Sequence, residues 1–144
     1  MKTTHDAKLK AKVFWEGGLK TRSIIRGFEV ETDEPKSKFG TNMAPAPMEV
    51  FISGIGSCLL SSFIDTILKA RINIEDCVVV IQGHTTIREK KENIVKAEIT
   101  LTVWADKKHK KKLEQFFEIS KKLCPLTDAI SFPLESMMQF KEER

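Results

Sequence analysis

Two cysteines are the residues of this sequence best suited to chemistry. Cys58 lies in the middle of a long uncharged run, and Cys124 directly precedes Pro125. Proline suits the first position of a helical turn, so the sequence predicts a short helix over residues 126–130 with Cys124 at or near its N-cap. Unpaired N–H groups and the helix dipole favour a thiolate at such a position. Cys124 is therefore a candidate reactive thiol.

Cys58 has no comparable help from its local sequence. A cysteine in the middle of an apolar helix is more often a small buried residue than a nucleophile, and it needs a nearby cation to become reactive. Cys77 begins a predicted strand, and we interpret it as structural. Three cysteines in a chain of this composition favour free thiols over a disulfide framework.

The central element is an apolar helix within residues 44–71. Pro45 and Pro47 suit its start, and large apolar residues on several sides predict that it is buried. One stripe consists of small and polar residues at three-to-four spacing, and it includes Gly54, Cys58 and Asp65. The Cys58 thiol is thus expected to face a second helix or a pocket.

The remaining segments predict an α+β fold with an antiparallel sheet in a single domain, residues 1–144. Strands are expected over residues 8–15 and 22–32, with a turn at Gly17 and Gly18. Residues 76–88 and 95–104 predict a hairpin with its turn at residues 90–93. Asp106 is expected to cap a second helix, and residues 132–140 to form a last strand. The inward face of that helix is predicted to hold Leu113, Phe116, Phe117, Ser120 and Leu123.

Composition restricts the function classes. The chain has 144 residues, 41% of them hydrophobic and 31% charged, as in ordinary soluble domains. The uncharged run is too short for a membrane span and the N-terminal residues lack the apolar core of a secretory signal, so we expect a cytoplasmic protein. His5, His84 and His109 are scattered, and no phosphate-binding loop occurs, which argues against a metal site or a cofactor.

The basic run at residues 107–112 has two readings. It lies on a predicted helix and lacks interleaved aromatic residues, so a solvated helix face is the favoured interpretation. A nucleic-acid patch is the alternative, and it would give salt-dependent retention of DNA or RNA.

These features together resemble the OsmC/Ohr family, the osmotically induced protein C and organic hydroperoxide resistance proteins. The resemblance rests on Pro47-Met48-Glu49 at the start of the central helix, on the run GIGSC that ends at Cys58, and on the Cys124-Pro125 pair. The resemblance implies an intertwined homodimer in which the sheet wraps around a buried central helix.

The resemblance also implies a thiol-dependent peroxidase that reduces organic hydroperoxides without metal or organic cofactor. Cys58 corresponds to the cysteine that attacks the peroxide and becomes a sulfenic acid, and Cys124 to the cysteine that resolves it as a disulfide. A dithiol such as a protein-bound lipoyl group would reduce that disulfide.

Two further residues follow from the same resemblance. Glu49 corresponds to a glutamate that orients an activating arginine, and Arg22 is our choice for that arginine, with Lys20 and Arg26 as alternatives. Nine residues place Glu49 and Cys58 on opposite sides of a straight helix, so their cooperation would need a bend or a partner chain. The alternative function is a diverged small-molecule binding protein with little or no peroxidase activity.

Overall fold

The computed structural model describes residues 6–142, which form two helices and two three-stranded sheets. This content confirms the α+β class. The boundary between two compact units falls between Val50 and Phe51, inside the first helix. The single domain over residues 1–144 stays a prediction. The elements are β1 Lys12–Trp15, β2 Thr21–Ile25, β3 Phe28–Thr32, α1 Pro47–Lys69, β4 Asp76–Arg88, β5 Lys91–Trp104, α2 Lys110–Leu123 and β6 Leu134–Lys141, with 3₁₀ turns at Lys36–Lys38 and Lys107–His109.

The first unit carries an antiparallel sheet in the order β1-β2-β3. The predicted turn at Gly17 and Gly18 is confirmed, with φ angles of 94° and 55°. The single strand predicted over residues 22–32 is wrong, because Arg26 and Gly27 form a tight turn with φ angles of 52° and 86°. The apolar alternation continues across a two-residue turn, so the pattern hides the break between β2 and β3.

A buried carboxylate organises the loop between β3 and α1. Asp33 is fully buried and accepts hydrogen bonds from the backbone N–H groups of Glu34 at 2.8 Å and Met43 at 3.1 Å, and from the hydroxyl of Thr41. Its own N–H donates to the carbonyl of Pro45 at 3.0 Å. These bonds fix the path of the chain into α1.

Both ends of α1 are capped by local chemistry. Pro47 is the first helical residue, where its missing N–H costs nothing. The carboxylate of Glu49 accepts from the N–H of Ala46 at 3.2 Å, which is one half of a capping box. At the other end, the N–H groups of Arg71 and Ile72 donate back to the last turn, with Arg71 in the left-handed conformation at φ 55°.

The core of the second unit combines the two helices with β5. Alternate residues of β5, from Ala97 to Val103, are buried, as the predicted alternation requires. A Cβ at Gly56 would lie 3.2 Å from Ile81 and 3.4 Å from Val79, so α1 approaches β4 closely. The buried residues of α1 recur at helical spacing, and they are Ile55, Gly56, Leu59, Phe63 and Ile67.

The second sheet has the order β4-β5-β6. The predicted hairpin forms, but its turn lies at Glu89 and Lys90, earlier than residues 90–93, and both residues have positive φ. The last strand also forms. It pairs in parallel with β5, whereas every other strand pair is antiparallel.

The second helix follows the capping residue that the sequence predicts. Asp106 accepts from the N–H of Lys108 at 2.9 Å, at the 3₁₀ turn that leads into α2. Leu113, Phe117 and Ser120 are buried as predicted. Leu123 is 59% exposed, so its assignment to the inward face is wrong, because the helix ends there and the chain turns away.

One helix, α1, is long and apolar enough to span a membrane by length and composition alone, with a mean hydropathy of 1.6 over its most apolar stretch. Its buried side chains pack in the same cluster as β5 and α2, which is the environment of a core helix in a water-soluble fold. We therefore assign α1 to the protein core.

Candidate functional site

The first element of the site is α1, which carries Cys58 halfway along its length. The Cys58 side chain is half-buried, between the exposed residue Ser57 and the fully buried residue Leu59. Small and apolar neighbours surround it on the helix, and α1 brings no charged group within one turn of it. Its reactivity must therefore come from groups outside this helix.

The second element is the end of α2, and here the sequence prediction fails. Residues 125–129 form a turn, and the predicted helix over 126–130 is absent. Cys124 is the C-cap of α2, and its N–H donates to the carbonyl of Ser120 at 3.0 Å. The expected position at a helix N-cap is therefore wrong.

The fold brings the two cysteines together. The side chains of Cys58 and Cys124 lie close enough to interact, and Cys124 is fully buried whereas Cys58 is half-buried. Burial raises the pKa of the Cys58 thiol above its ordinary value, and the hydrogen bond with Cys124 raises it further. Because Cys58 is the more exposed of the two, it is the thiol that a molecule from solvent reaches first.

A backbone group that sequence reasoning missed completes this contact. Hydrogen bonding from the Leu126 backbone acts to lower the pKa of the Cys58 thiol. The sequence does hold a signal for it. Proline has no N–H, so Leu126 supplies the first backbone donor after Cys124.

The other predicted site residues lie in the first unit. Arg22 lies on β2 and donates to Glu16 at 2.8 Å and to Glu29 at 3.0 Å, and its guanidinium lies 4.9 Å from the Phe14 ring centre. The hydrogen bond with Glu16, followed by attraction to that carboxylate, raises the pKa of Arg22 despite some desolvation. Glu49 contributes its carboxylate to the cap of α1.

The two alternative cations have different settings. Lys20 closes the turn before β2, where its N–H donates to the Gly17 carbonyl at 3.0 Å. Arg26 occupies the turn between β2 and β3, with its guanidinium 5.4 Å from the Phe28 ring centre. Of the three cations, Arg22 has the most carboxylate contacts among the described residues, so its guanidinium is the best oriented.

The other candidate metal ligands form no cluster in the described part of the chain. Residues 6–142 contain no cluster of three or more His, Cys, Asp or Glu side chains arranged to hold a metal ion. His5 lies outside the described residues. Burial and the Asp76 carboxylate raise the pKa of Cys77, which is consistent with a structural thiol.

Comparison with known proteins agrees with this architecture. Residues 40–136 match the sequence model of the OsmC-like protein family. No curated protein sequence matches the chain.

Solved structures with the same fold cover nearly the whole chain. An OsmC-like protein from Mycoplasma pneumoniae has a TM-score of 0.81 at 15% identity, over 94% of this chain and 99% of that chain. An organic hydroperoxide resistance protein from Elizabethkingia anophelis, with crystallant-derived thiocyanate bound, has a TM-score of 0.70 at 20% identity, over 98% and 99%. An organic hydroperoxide resistance protein OsmC from Legionella pneumophila has a TM-score of 0.72 at 16% identity, over 96% and 99%.

At these identities the structures show a shared fold, whereas the sequence match carries the family assignment. That match spans more than half of the chain and contains both Cys58 and Cys124. With its two thiols in contact and its fold shared along almost its full length, the chain belongs to the OsmC-like family.

Proposed function

We propose that this protein is a thiol peroxidase that reduces organic hydroperoxides, with Cys58 as the attacking thiol and Cys124 as the resolving thiol. The observation that supports it is the proximity of the two thiols, one half-buried and one fully buried, which interact strongly enough to raise the pKa of Cys58. Two proteins of the same fold are named for organic hydroperoxide resistance, which is consistent with such a role.

The chemistry balances with the groups present and one external reductant. The Cys58 thiolate attacks the terminal oxygen of the hydroperoxide, the O–O bond breaks, and the released alkoxide takes a proton to become an alcohol. Cys58 is then a sulfenic acid. The Cys124 sulfur attacks the Cys58 sulfur, the S–O bond breaks, and the hydroxide takes a proton to leave as water. A dithiol, for which a protein-bound lipoyl group is our candidate, returns two electrons to the disulfide.

Thiolate formation needs more than the Leu126 N–H, because burial raises the pKa of Cys58. A cation at the sulfur would lower that pKa. Arg22 fills this role in our proposal, with Glu49 as the residue that orients it, and a homodimer supplies the complete site. Proteins of this family are typically homodimers. We place the activity in the cytoplasm.

The test is a single-turnover reaction of the reduced protein with one equivalent of cumene hydroperoxide. The wild-type protein should lose two thiols and about two daltons within seconds, because a disulfide forms with the loss of two hydrogens. Cys58→Ser should abolish the reaction, and Cys124→Ser should stop it at a sulfenic acid that a dimedone probe traps. Cys77→Ser is the matched control and should react like the wild type. A Cys58→Ser protein that keeps full activity would overturn the proposal.

The same assay tests the activating cation. Arg22→Gln should slow the loss of Cys58 thiol by about tenfold or more, because each unit of pKa changes the thiolate fraction tenfold. Arg26→Gln serves as the control at a neighbouring arginine and should react like the wild type. If Arg26→Gln slows the reaction and Arg22→Gln does not, the activating cation is Arg26 and not Arg22.

One observation favours a second function. The raised pKa of Cys58 is also what a slow-reacting thiol in a ligand-binding protein would have. In that case all three thiols would survive excess hydroperoxide for minutes, and an apolar or electrophilic small molecule would bind saturably.

A further inference from the structure

The start of α2 and the ends of β5 and β6 form a strongly basic part of the second unit. We call residues 104–112 and 140–142 the basic corner. It contains six lysines against two acidic residues, Asp106 and Glu142, so its net charge is +4 when His109 is neutral. The whole chain also has a net charge of +4. The basic corner therefore carries all of the positive excess, and the rest of the chain is neutral on balance.

The fold brings aromatic rings among these lysines, although the basic run itself contains none. The ammonium group of Lys141 lies 5.4 Å from the centre of the Trp104 ring, and that of Lys110 lies 6.0 Å from the centre of the Phe140 ring. The N–H of Ala105 donates to the carbonyl of Lys141 at 3.1 Å, which joins the end of β5 to the end of β6. The lack of interleaved aromatic residues, which favoured a solvated helix face in the sequence, therefore does not hold in the folded chain.

Much of the charge in the basic corner is not balanced by acidic side chains. The ammonium group of Lys107 lies 3.9 Å from the Glu142 carboxylate, and that of Lys108 lies 3.9 Å from the Asp106 carboxylate. Within residues 6–142, no ion pair involves the lysines at 110–112. The first turn of α2 also has no acidic residue, although the positive end of a helix dipole favours acidic side chains there and disfavours lysines. These lysines do not stabilise the helix, and their charge is available to an external anion.

The combination of charge and rings favours single-stranded nucleic acid over other polyanions. Its phosphates pair with cations, and its unpaired bases stack on aromatic side chains. Trp104 is half-buried, so part of its ring is open to solvent beside Lys141. An acidic protein would use the lysines without the ring. A membrane surface would need apolar side chains exposed beside the lysines, whereas Leu113 and Phe117 of α2 are buried.

We infer that the basic corner binds single-stranded nucleic acid, with its lysines on the phosphates and Trp104 against a base. This activity is separate from the proposed reaction of Cys58 and needs neither reacting thiol. Each phosphate that a lysine neutralises releases counterions, so the logarithm of the association constant falls with the logarithm of the salt concentration by about 0.7 per contact. Four such contacts would give a slope of about −3.

The test titrates the full-length protein into a fluorescein-labelled oligouridylate of about 20 nucleotides and follows its anisotropy between about 50 and 200 mM salt. Lys111→Gln/Lys112→Gln removes two exposed lysines, so the slope should become shallower by about 1.4 and the affinity at low salt should fall about tenfold or more. Lys90→Gln/Lys91→Gln makes the same change of charge at exposed positions of the β4–β5 hairpin and should keep the wild-type slope. Equal slopes and affinities for the two double variants, or no binding by the wild type at low salt, would overturn the inference.

A second measurement separates nucleic acid from an acidic protein as the occupant. The chain has two tryptophans, Trp15 and Trp104, so Trp15→Phe leaves Trp104 as the fluorescent one. The oligouridylate should quench Trp104 fluorescence with the midpoint seen in anisotropy, because a stacked base lies against the ring. Polyglutamate, the probe for an acidic partner, should not displace the oligouridylate at an equal concentration of charge. Displacement by polyglutamate, or binding of the oligouridylate without a change in Trp104 fluorescence, contradicts the assignment to single-stranded nucleic acid.

Discussion

At the scale of single residues, the two thiols differ in the way that a stepwise reaction requires. Cys124 is fully buried, whereas Cys58 is half-buried and has a backbone donor at its sulfur. A peroxide that arrives from solvent meets Cys58 first. In our proposal the buried Cys124 then attacks the Cys58 sulfur as the resolving thiol.

The sequence could indicate these two cysteines but not the geometry between them. Local pattern places Cys58 on a helix, which is confirmed, and Cys124 at a helix N-cap, which is wrong because Cys124 is the C-cap of α2. The turn at residues 125–129 was missed because a side-chain bond from Thr127 to the Cys124 carbonyl replaces the helical bonds that Pro125 would otherwise begin. The spacing of apolar residues along a sequence does not reveal where a side chain forms a hydrogen bond with the backbone in place of a helical bond.

The buried carboxylate of Asp33 gives a pH-dependent prediction at this scale. Its pKa is lowered from 3.8 to about 2, first by the hydrogen bond from the Thr41 hydroxyl and then by the Met43 N–H. A lowered folded-state pKa stabilises the fold above the unfolded value, and this contribution is lost as pH falls toward 2. Asp33→Asn should therefore lower the free energy of unfolding in urea most at pH 7, with a difference from wild type that shrinks below pH 4.

The matched control for Asp33 is another aspartate with an exposed ion pair. The carboxylate of Asp65 lies 2.6 Å from the ammonium group of Lys69 on the surface of α1. Exposed ion pairs of this kind contribute about 0.5 kcal/mol to the free energy of unfolding. Asp65→Asn should change stability little at any pH. An Asp33→Asn effect that is equal at pH 7 and pH 2.5 would show that the ionised form of Asp33 does not stabilise the loop.

At the scale of elements, the sequence identifies helices and strands better than it identifies their connections. The alternation in β5 and the apolar spacing in α1 are direct consequences of burial, so both elements are found. The break between β2 and β3 was missed because it leaves the alternation intact. The parallel pairing of β6 with β5 was missed because the pairing partner of a strand depends on contacts distant in sequence.

The hairpin turn between β4 and β5 gives a stability prediction. Glu89 and Lys90 have φ angles of 50° and 64°, a conformation that costs residues other than glycine about 1–2 kcal/mol. The corresponding turn at Arg26 and Gly27 has glycine at its second position. Lys90→Gly should raise the free energy of unfolding by about 0.5–1 kcal/mol in chemical denaturation, after allowance for the greater chain entropy of glycine.

The next residue along the chain is the control for this turn. Lys91 is the first residue of β5 and pairs with Arg88, where the backbone is extended. Lys91→Gly therefore gains nothing from a relieved φ angle and should lower stability, by about 0.5–1 kcal/mol. If both glycine variants lose stability equally, the left-handed turn between β4 and β5 is not a source of strain.

At the scale of the whole molecule, the exposure of α1 is the feature that most needs a partner. The helix has the composition of a buried element, yet only 28% of its most apolar stretch is buried within the chain. Phe51 and Leu68 are 50% and 68% exposed. Large apolar groups on such a helix are stable in water when another surface covers them. A second copy of the chain is the cover that our proposal requires, since it also completes the site.

A charge placed on the small-residue stripe of α1 tests that proposal. Ser61 is exposed and lies three residues after Cys58 on the same small-residue stripe, where the helix packing of the proposed dimer would tolerate only small side chains. Ser61→Arg should therefore convert a dimer into a monomer in size-exclusion chromatography with light scattering, because an arginine would bury a charge and separate the helices. Gln115→Arg, at an exposed position of α2, should leave the dimer intact. A wild-type protein that remains monomeric at tens of micromolar would show that α1 is covered in another way and that the site does not depend on a second chain.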